Sequence, residues 1–168
     1  MNRIVSTLLV TGVLFLIVNS AFLGCNRKAL DAMPRWELQD MDGNVIQSKE
    51  FSGKVVVVNF WATWCQPCVQ EIPGFVSLQQ KYAKKGLAVV GIALDELGAQ
   101  AVRPILKQRG VNYMVLVGDN AVQLAFGGLD GLPTTFVFDR SGKLIAKHDG
   151  FWDMTALEKA LEPLLEQK

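Results

Sequence analysis

Histidine and cysteine are scarce in this chain, with one His and three Cys among 168 residues. A structural zinc site draws on four such ligands, usually as two spaced pairs. Beside Cys65 and Cys68 the sequence offers only Cys25 and His148, which excludes that site. Covalent haem attachment is excluded too: it requires a histidine directly after the second cysteine, and Val69 stands there. An excess of charge is also missing. Seventeen basic residues face 16 acidic ones, so nucleic acid is not an expected partner. Internal repeats, low-complexity stretches and long linkers are absent outside the N-terminus. The length suits one compact domain with a substantial core.

The informative stretch is Trp61-Ala62-Thr63-Trp64-Cys65-Gln66-Pro67-Cys68. It follows Lys54-Val55-Val56-Val57-Val58-Asn59-Phe60, a β-branched run of the length of a buried strand. Beyond the cysteines the pattern turns helical, with Cys68, Glu71, Phe75, Leu78 and Tyr82 on one face. Two cysteines separated by two residues, where a buried strand hands over to a helix, form a redox motif. Cys65 falls at the helix N-terminus, where unpaired N–H groups and the helix dipole favour a thiolate. Pro67 suits the first turn, where a missing N–H costs nothing. A purely structural disulfide over so short a loop would add little stability.

The N-terminus is a different material. Met1-Asn2-Arg3 precedes an uncharged run from Ile4 to Asn26, apolar from Ile4 to Val18, which reads as an export signal. The run ends in Ala21-Phe22-Leu23-Gly24-Cys25, which resembles the lipobox of bacterial lipoproteins. That resemblance implies a lipidated Cys25 as the mature N-terminus, although Phe22 replaces the commoner leucine. An uncleaved anchor is the alternative, since about 20 apolar residues span a bilayer. Either version puts the domain outside the cytoplasm and tethers it to a membrane. Residues 1–25 are thus expected to be the signal, 26–34 a tether and 35–168 the folded domain.

Within that domain, Arg35 to Gln39 alternates, Asp42-Gly43 marks a hairpin turn and Val45-Ile46 begins the return strand. The central strand is Val55 to Phe60. The helix after the cysteines reaches about Lys85, bends near Pro73 and is ended by Gly86. Leu87 to Leu94 reads as a parallel strand, Ala99 to Arg109 as a helix, Tyr113 to Val117 as a strand and Ala121 to Phe126 as a short helix. Thr135 to Phe138 and Lys143 to Lys147 make a hairpin about Asp139-Arg140-Ser141-Gly142. Asp153 caps a last helix to Gln167, which Pro163 is expected to bend or end early.

This α/β order (strand, CxxC, helix, further βα units, hairpin, closing helix) resembles the thioredoxin fold from about Arg35 to Lys168. The resemblance implies a central mixed sheet flanked by helices, with an N-terminal β-hairpin extension and a helical insert. Its most specific marks are Trp64-Cys65-Gln66-Pro67-Cys68, Pro73, and Gly131-Leu132-Pro133-Thr134, where the family carries a cis-proline loop facing the redox pair. Asn59 stands where cytoplasmic thioredoxins have a buried aspartate. With the export signal and Glu71 three residues beyond Cys68, the chain is similar to the TlpA/ResA branch of membrane-tethered thiol–disulfide oxidoreductases. That branch reduces disulfides of exported proteins, often apocytochrome c during haem attachment, and draws electrons from a membrane thiol carrier. The resemblance implies Cys65 as attacking thiol and Cys68 as resolving thiol, with no cofactor beyond their disulfide. It also implies substrate contacts at Trp64, Gln66, Pro67, Leu132, Pro133 and Thr134, with Trp61 and Trp64 covering the pair. Glu71 has a physical case of its own. A carboxyl on a core-facing stripe is desolvated, which raises its pKa and lets it manage the Cys68 proton.

Three rivals stay open. A peroxiredoxin-type peroxidase expects threonine three residues before the attacking cysteine, whereas Thr63 is two before Cys65. A non-enzymatic copper- or other metal-delivery module wants a differently spaced pair and a nearby histidine. A disulfide-forming oxidant differs only in potential and partner. The absence of charge or histidine between Cys65 and Cys68 leans towards a reductant.

Overall fold

The structure, a computed structural model, describes residues 30–166. The export segment, Cys25, residues 26–29 of the tether and Gln167 lie outside the described residues. The elements in chain order are β1 (Glu37–Asp40), β2 (Val45–Gln47), β3 (Val55–Trp61), α1 (Gln66–Tyr82), β4 (Leu87–Ala93), α2 (Ala99–Arg109), β5 (Met114–Val117), α3 (Asn120–Ala125), β6 (Thr134–Phe138), β7 (Leu144–Asp149) and α4 (Met154–Glu166). The strands form one mixed sheet in the order β2-β1-β5-β4-β3-β6-β7. In it β3, β4 and β5 run parallel, and every other pairing is antiparallel. The expected architecture is therefore present, with the N-terminal hairpin added beyond β5.

β3 is the axis, and all seven of its residues are buried. Successive side chains on a strand point to opposite faces. Val56, Val58 and Phe60 face a core completed by Trp36, Phe51, Phe126, Phe136 and Phe138. Val55 and Val57 face Phe75 and Leu78 of α1 and Leu157 and Leu161 of α4. Each side chain of this size contributes about 1.5–3 kcal/mol on burial. With both faces covered, β3 does not alternate with polar residues, which is why it reads as an apolar run broken only by Asn59. α4 is further tied to α1 where the Tyr82 hydroxyl donates to Glu158 Oε1 at 2.7 Å.

Two glycines stop helices, Gly86 as expected and Gly110 at the expected end of its helix. Gly86 (φ 89°) ends the short 3-10 turn that follows α1, and Gly110 (φ 62°) ends α2. α3 begins and ends one residue earlier than expected, because the Asp119 carboxylate accepts the Val122 N–H at 2.7 Å and sets the start. β7 begins one residue later than its expected start and runs two residues further, to Asp149. Pro163 does not end α4, which continues to Glu166. The proline sits on the exposed side, where water takes the carbonyl it leaves free, while buried Leu161 and Leu165 anchor the helix on either side of it. α1 likewise runs past Pro73, which is exposed. Among the described residues no helix is long and apolar enough to cross a membrane.

The sheet has two poles. β3 ends at the cysteines, whereas the β6–β7 turn lies at the other end, since Phe138 pairs with Val56. The start of the described chain is pinned at that second pole. The Met33 N–H donates to the Gly142 carbonyl at 2.8 Å, and the Leu144 N–H to the Asp31 carbonyl at 2.9 Å.

Candidate active site

Cys65 leaves β3 in extended backbone (φ −85°, ψ 100°) and caps α1. Its sulfur accepts the Cys68 N–H at 3.3 Å, so one of the donors at the helix start is aimed at the atom expected to carry charge. Cys65 and Cys68 are joined in a disulfide. Cys65 is the more accessible of the two, 6% exposed against 1%. Pro67 occupies the first turn and, with Gln66, is exposed. Trp61 packs in the same buried cluster as both cysteines. Trp64 is 69% exposed and forms a wall of a shallow hollow of about 300 Å³. Leu94, Leu129 and Leu132 line the same hollow.

The Leu132–Pro133 peptide is cis. Leu132 packs against the cysteine cluster. Two of the three expected substrate contacts on this loop are already engaged within the chain. The Pro133 carbonyl accepts the Gly150 N–H at 2.7 Å. Thr134 is fully buried, its hydroxyl shared between the Gly131 carbonyl at 2.8 Å and Asp149 Oδ1 at 3.0 Å. Leu132 is the loop residue left facing the hollow.

Glu71, one helical turn beyond Cys68, is 1% exposed. Its Oε1 accepts the Trp152 backbone N–H at 2.6 Å, while Oε2 is buried without a partner at hydrogen-bonding geometry. Burial pushes the carboxyl up to about 7, against the Trp152 N–H and the Asn59 amide, which both favour the charged form. Asn59 gives its Nδ2–H to the Thr135 hydroxyl at 2.9 Å. Tyr113 is raised above the usual phenol range, first by burial and then by the Glu71 charge. A proton arriving at Glu71 has one vacant place, the partnerless Oε2. The site therefore joins a sulfur at a helix N-terminus, a more shielded second sulfur and a buried carboxyl whose pKa burial pushes up to about 7.

Three contributors escaped the sequence reading. Asp95, 8% exposed just past β4, accepts the Thr63 N–H at 3.1 Å and also the Thr63 hydroxyl, which holds the turn into the motif. An acid directly after a buried strand at the edge that carries the motif was the available signal. The Trp152 N–H had none, because any residue other than proline offers a backbone donor. From the sequence Tyr113 reads only as a strand residue. His148 does not join the sulfur pair but sits in β7, and Cys25 lies outside the described residues. Among the described residues no group of His, Cys, Asp or Glu gathers to hold a metal ion. A larger cleft of about 850 Å³ opens at the opposite pole beside Trp36, Lys54 and Arg140 and contains neither sulfur.

Several known proteins are similar to this chain over most of its length. The thiol-disulfide oxidoreductase ResA of Bacillus thuringiensis subsp. konkukian is 34% identical over 131 residues, covering 78% of this chain and 75% of its own. ResA of Bacillus subtilis is 32% identical over 133 residues, covering 78% and 73%. Among solved structures, a thiol:disulfide interchange protein of the thioredoxin family from Chlorobium tepidum is 33% identical with a TM-score of 0.74. That match covers 80% of this chain and 96% of the other. A family model described as the AhpC/TSA family matches residues 29–147. With its sulfur pair, sheet and relatives in agreement, the chain belongs to the AhpC/TSA family, as a ResA-like member of the thioredoxin superfamily.

Proposed function

We propose that this thioredoxin-like disulfide oxidoreductase works in the reducing direction, outside the cytoplasm, on disulfides of exported proteins, apocytochrome c among them. The observation that carries the reading is the Cys65–Cys68 pair at the start of α1 with buried Glu71 one turn behind it. In the reduced enzyme the Cys65 thiolate attacks one sulfur of a substrate disulfide, and the other leaves as a thiolate. The Cys68 thiol passes its proton to Glu71, and the resulting thiolate attacks the Cys65 sulfur. The mixed disulfide breaks, the second substrate thiolate leaves, and the Cys65–Cys68 disulfide forms. The substrate gains two electrons and the enzyme loses two, which a membrane dithiol donor restores. The pair itself carries the electrons, so the reading calls for no further cofactor.

The hollow between Trp64 and Leu132 suits an apolar side chain next to the substrate cystine, with an extended peptide running alongside the Leu132 backbone. The pinning of Asp31 and Met33 at the far pole supports a tether there, lipidated at Cys25 or anchored by residues 1–25, that leaves the sulfur pair facing away from the membrane. A peroxidase reading is disfavoured because the Thr63 hydroxyl is committed to Asp95.

Two measurements test the proposal. In Cys65→Ser, insulin-disulfide reduction is abolished, whereas Cys68→Ser accumulates mixed disulfides with substrate. A reduction potential of the wild-type pair well below the oxidising periplasmic range supports reduction. A high potential, or Cys68 alkylating faster than Cys65, refutes the assigned direction or roles.

A further inference from the structure

His148, the chain's single histidine, stacks its ring on that of Trp152, with centroids 4.7 Å apart and planes 25° apart. Its Nε2 lies 3.1 Å from the Phe151 carbonyl oxygen. A carbonyl only accepts, so the imidazole that makes this bond carries a proton on Nε2 and donates it. The same peptide unit turns its other end to the active site, where the Trp152 N–H donates to Glu71 Oε1 at 2.6 Å. One peptide group thus bridges an imidazole at its oxygen and a buried carboxylate at its nitrogen. We propose that His148 is a positioning residue for the redox reaction. Through the Phe151–Trp152 peptide it sets how readily Glu71 takes the Cys68 proton, and so makes the resolving step respond to pH outside the site.

Hydrogen bonds in series polarise one another. A donor on the Phe151 carbonyl makes the Trp152 N–H a better donor to Glu71, and a positive imidazole strengthens the effect. An imidazolium therefore favours the ionised carboxylate, and the ionised carboxylate favours the imidazolium. Imidazoles as a class change charge between about pH 5 and 8, which overlaps the range to which burial pushes Glu71. His148 is half-buried and can exchange protons with solvent, whereas Glu71 cannot do so directly.

The neighbouring charges leave this link uncrowded. On β7, Lys147 and Asp149 point to the opposite face from His148 and pair with each other at 3.1 Å. Asp130 lies 3.9 Å from Lys147. From β6 the register partner of His148 is uncharged Thr135. Asp153, just before α4, is occupied by the Ala156 N–H at 3.0 Å. Around Glu71 the titratable groups are Cys68 on its own helix and Tyr113 at β5, with neutral Asn59 from β3.

This inference rests on the reading of Glu71 as proton partner of Cys68, and the experiment separates the two. In oxidised protein, carbon-13 NMR follows the Glu71 carboxyl and the His148 ring across pH. In reduced protein, alkylation rates follow Cys68 across pH. His148→Phe keeps a ring on Trp152 but removes the donor and the charge, whereas His148→Gln keeps an N–H donor without the charge. The Glu71 midpoint is expected to rise by about 0.5 in pH in His148→Phe and by less in His148→Gln, the direction set by losing a charge-assisted bond. The Cys68 profile should move the same way, and no longer respond to His148 once Glu71→Gln is present. An unmoved Glu71 midpoint, or a Cys68 shift that persists in Glu71→Gln, overturns the proposal. If His148→Phe does not fold, wild type decides: mutually perturbed titrations uphold the link and two independent single-site curves overturn it. Linked titrations with a Glu71→Gln thiol profile equal to wild type would remove the reading of Glu71, and this proposal with it.

Discussion

Glu71 makes a stability prediction that needs no substrate. Its carboxyl is 1% exposed and is pushed from 4.5 to about 7, first by burial. The folded state therefore keeps a proton that the unfolded chain has already released, so stability is full below pH 4.5, falls as pH rises and levels off above 7. A shift of this size amounts to about 3 kcal/mol in all, of which about 2.5 kcal/mol falls between pH 5 and pH 8. Glu71→Gln keeps the shape and an acceptor for the Trp152 N–H but cannot ionise. Its amide adds an offset that does not change with pH and so cancels. The measurement is denaturant unfolding of both oxidised proteins at pH 5 and pH 8. Relative to Glu71→Gln, wild type should lose about 2.5 kcal/mol on going to pH 8. A difference that stays constant with pH would show that the carboxylate ionises in the fold as freely as in water, and would remove the physical basis for its role at Cys68.

Trp64→Ala should slow reduction of a protein disulfide while leaving reaction with a small disulfide reagent and thermal stability nearly unchanged, because the ring is 69% exposed beside the sulfur pair. Phe126→Ala removes the ring that meets Phe60 and Phe136 edge-on, each at 4.9 Å between centroids. Urea titration should show a loss of about 3–5 kcal/mol. In Gly74→Ala the new methyl collides with the Met154 side chain where α1 meets α4. A loss of about 1–3 kcal/mol is expected, partly restored by Met154→Ala; no restoration would mean that the helix backbones, not that side chain, limit the approach.

The fold was largely legible because its strands announce themselves by composition. The run Val55–Trp61 and the run Leu87–Ala93 are buried on both faces and therefore nearly without polar residues. Helix ends were legible where one residue decides them, as at Gly86. Pro163 does not end α4, although a proline reads as a breaker along the chain, because its tolerance depends on which side of the helix meets water.

At the site, the sequence by itself determined the chemistry: Cys65, Cys68 and Glu71 lie within two helical turns, so their order and spacing place them together without reference to the rest of the chain. Only the tertiary structure decided what surrounds them. It exposed Trp64, committed Thr134 and the Pro133 carbonyl to internal bonds, and brought Asp95 to Thr63 across 32 positions. It also set the Trp152 N–H against Glu71 across 81 positions. Contacts of that range leave no local trace. A backbone donor has no residue signature, and the burial that makes Glu71 hold a proton exists only once α4 and β5 have packed against α1.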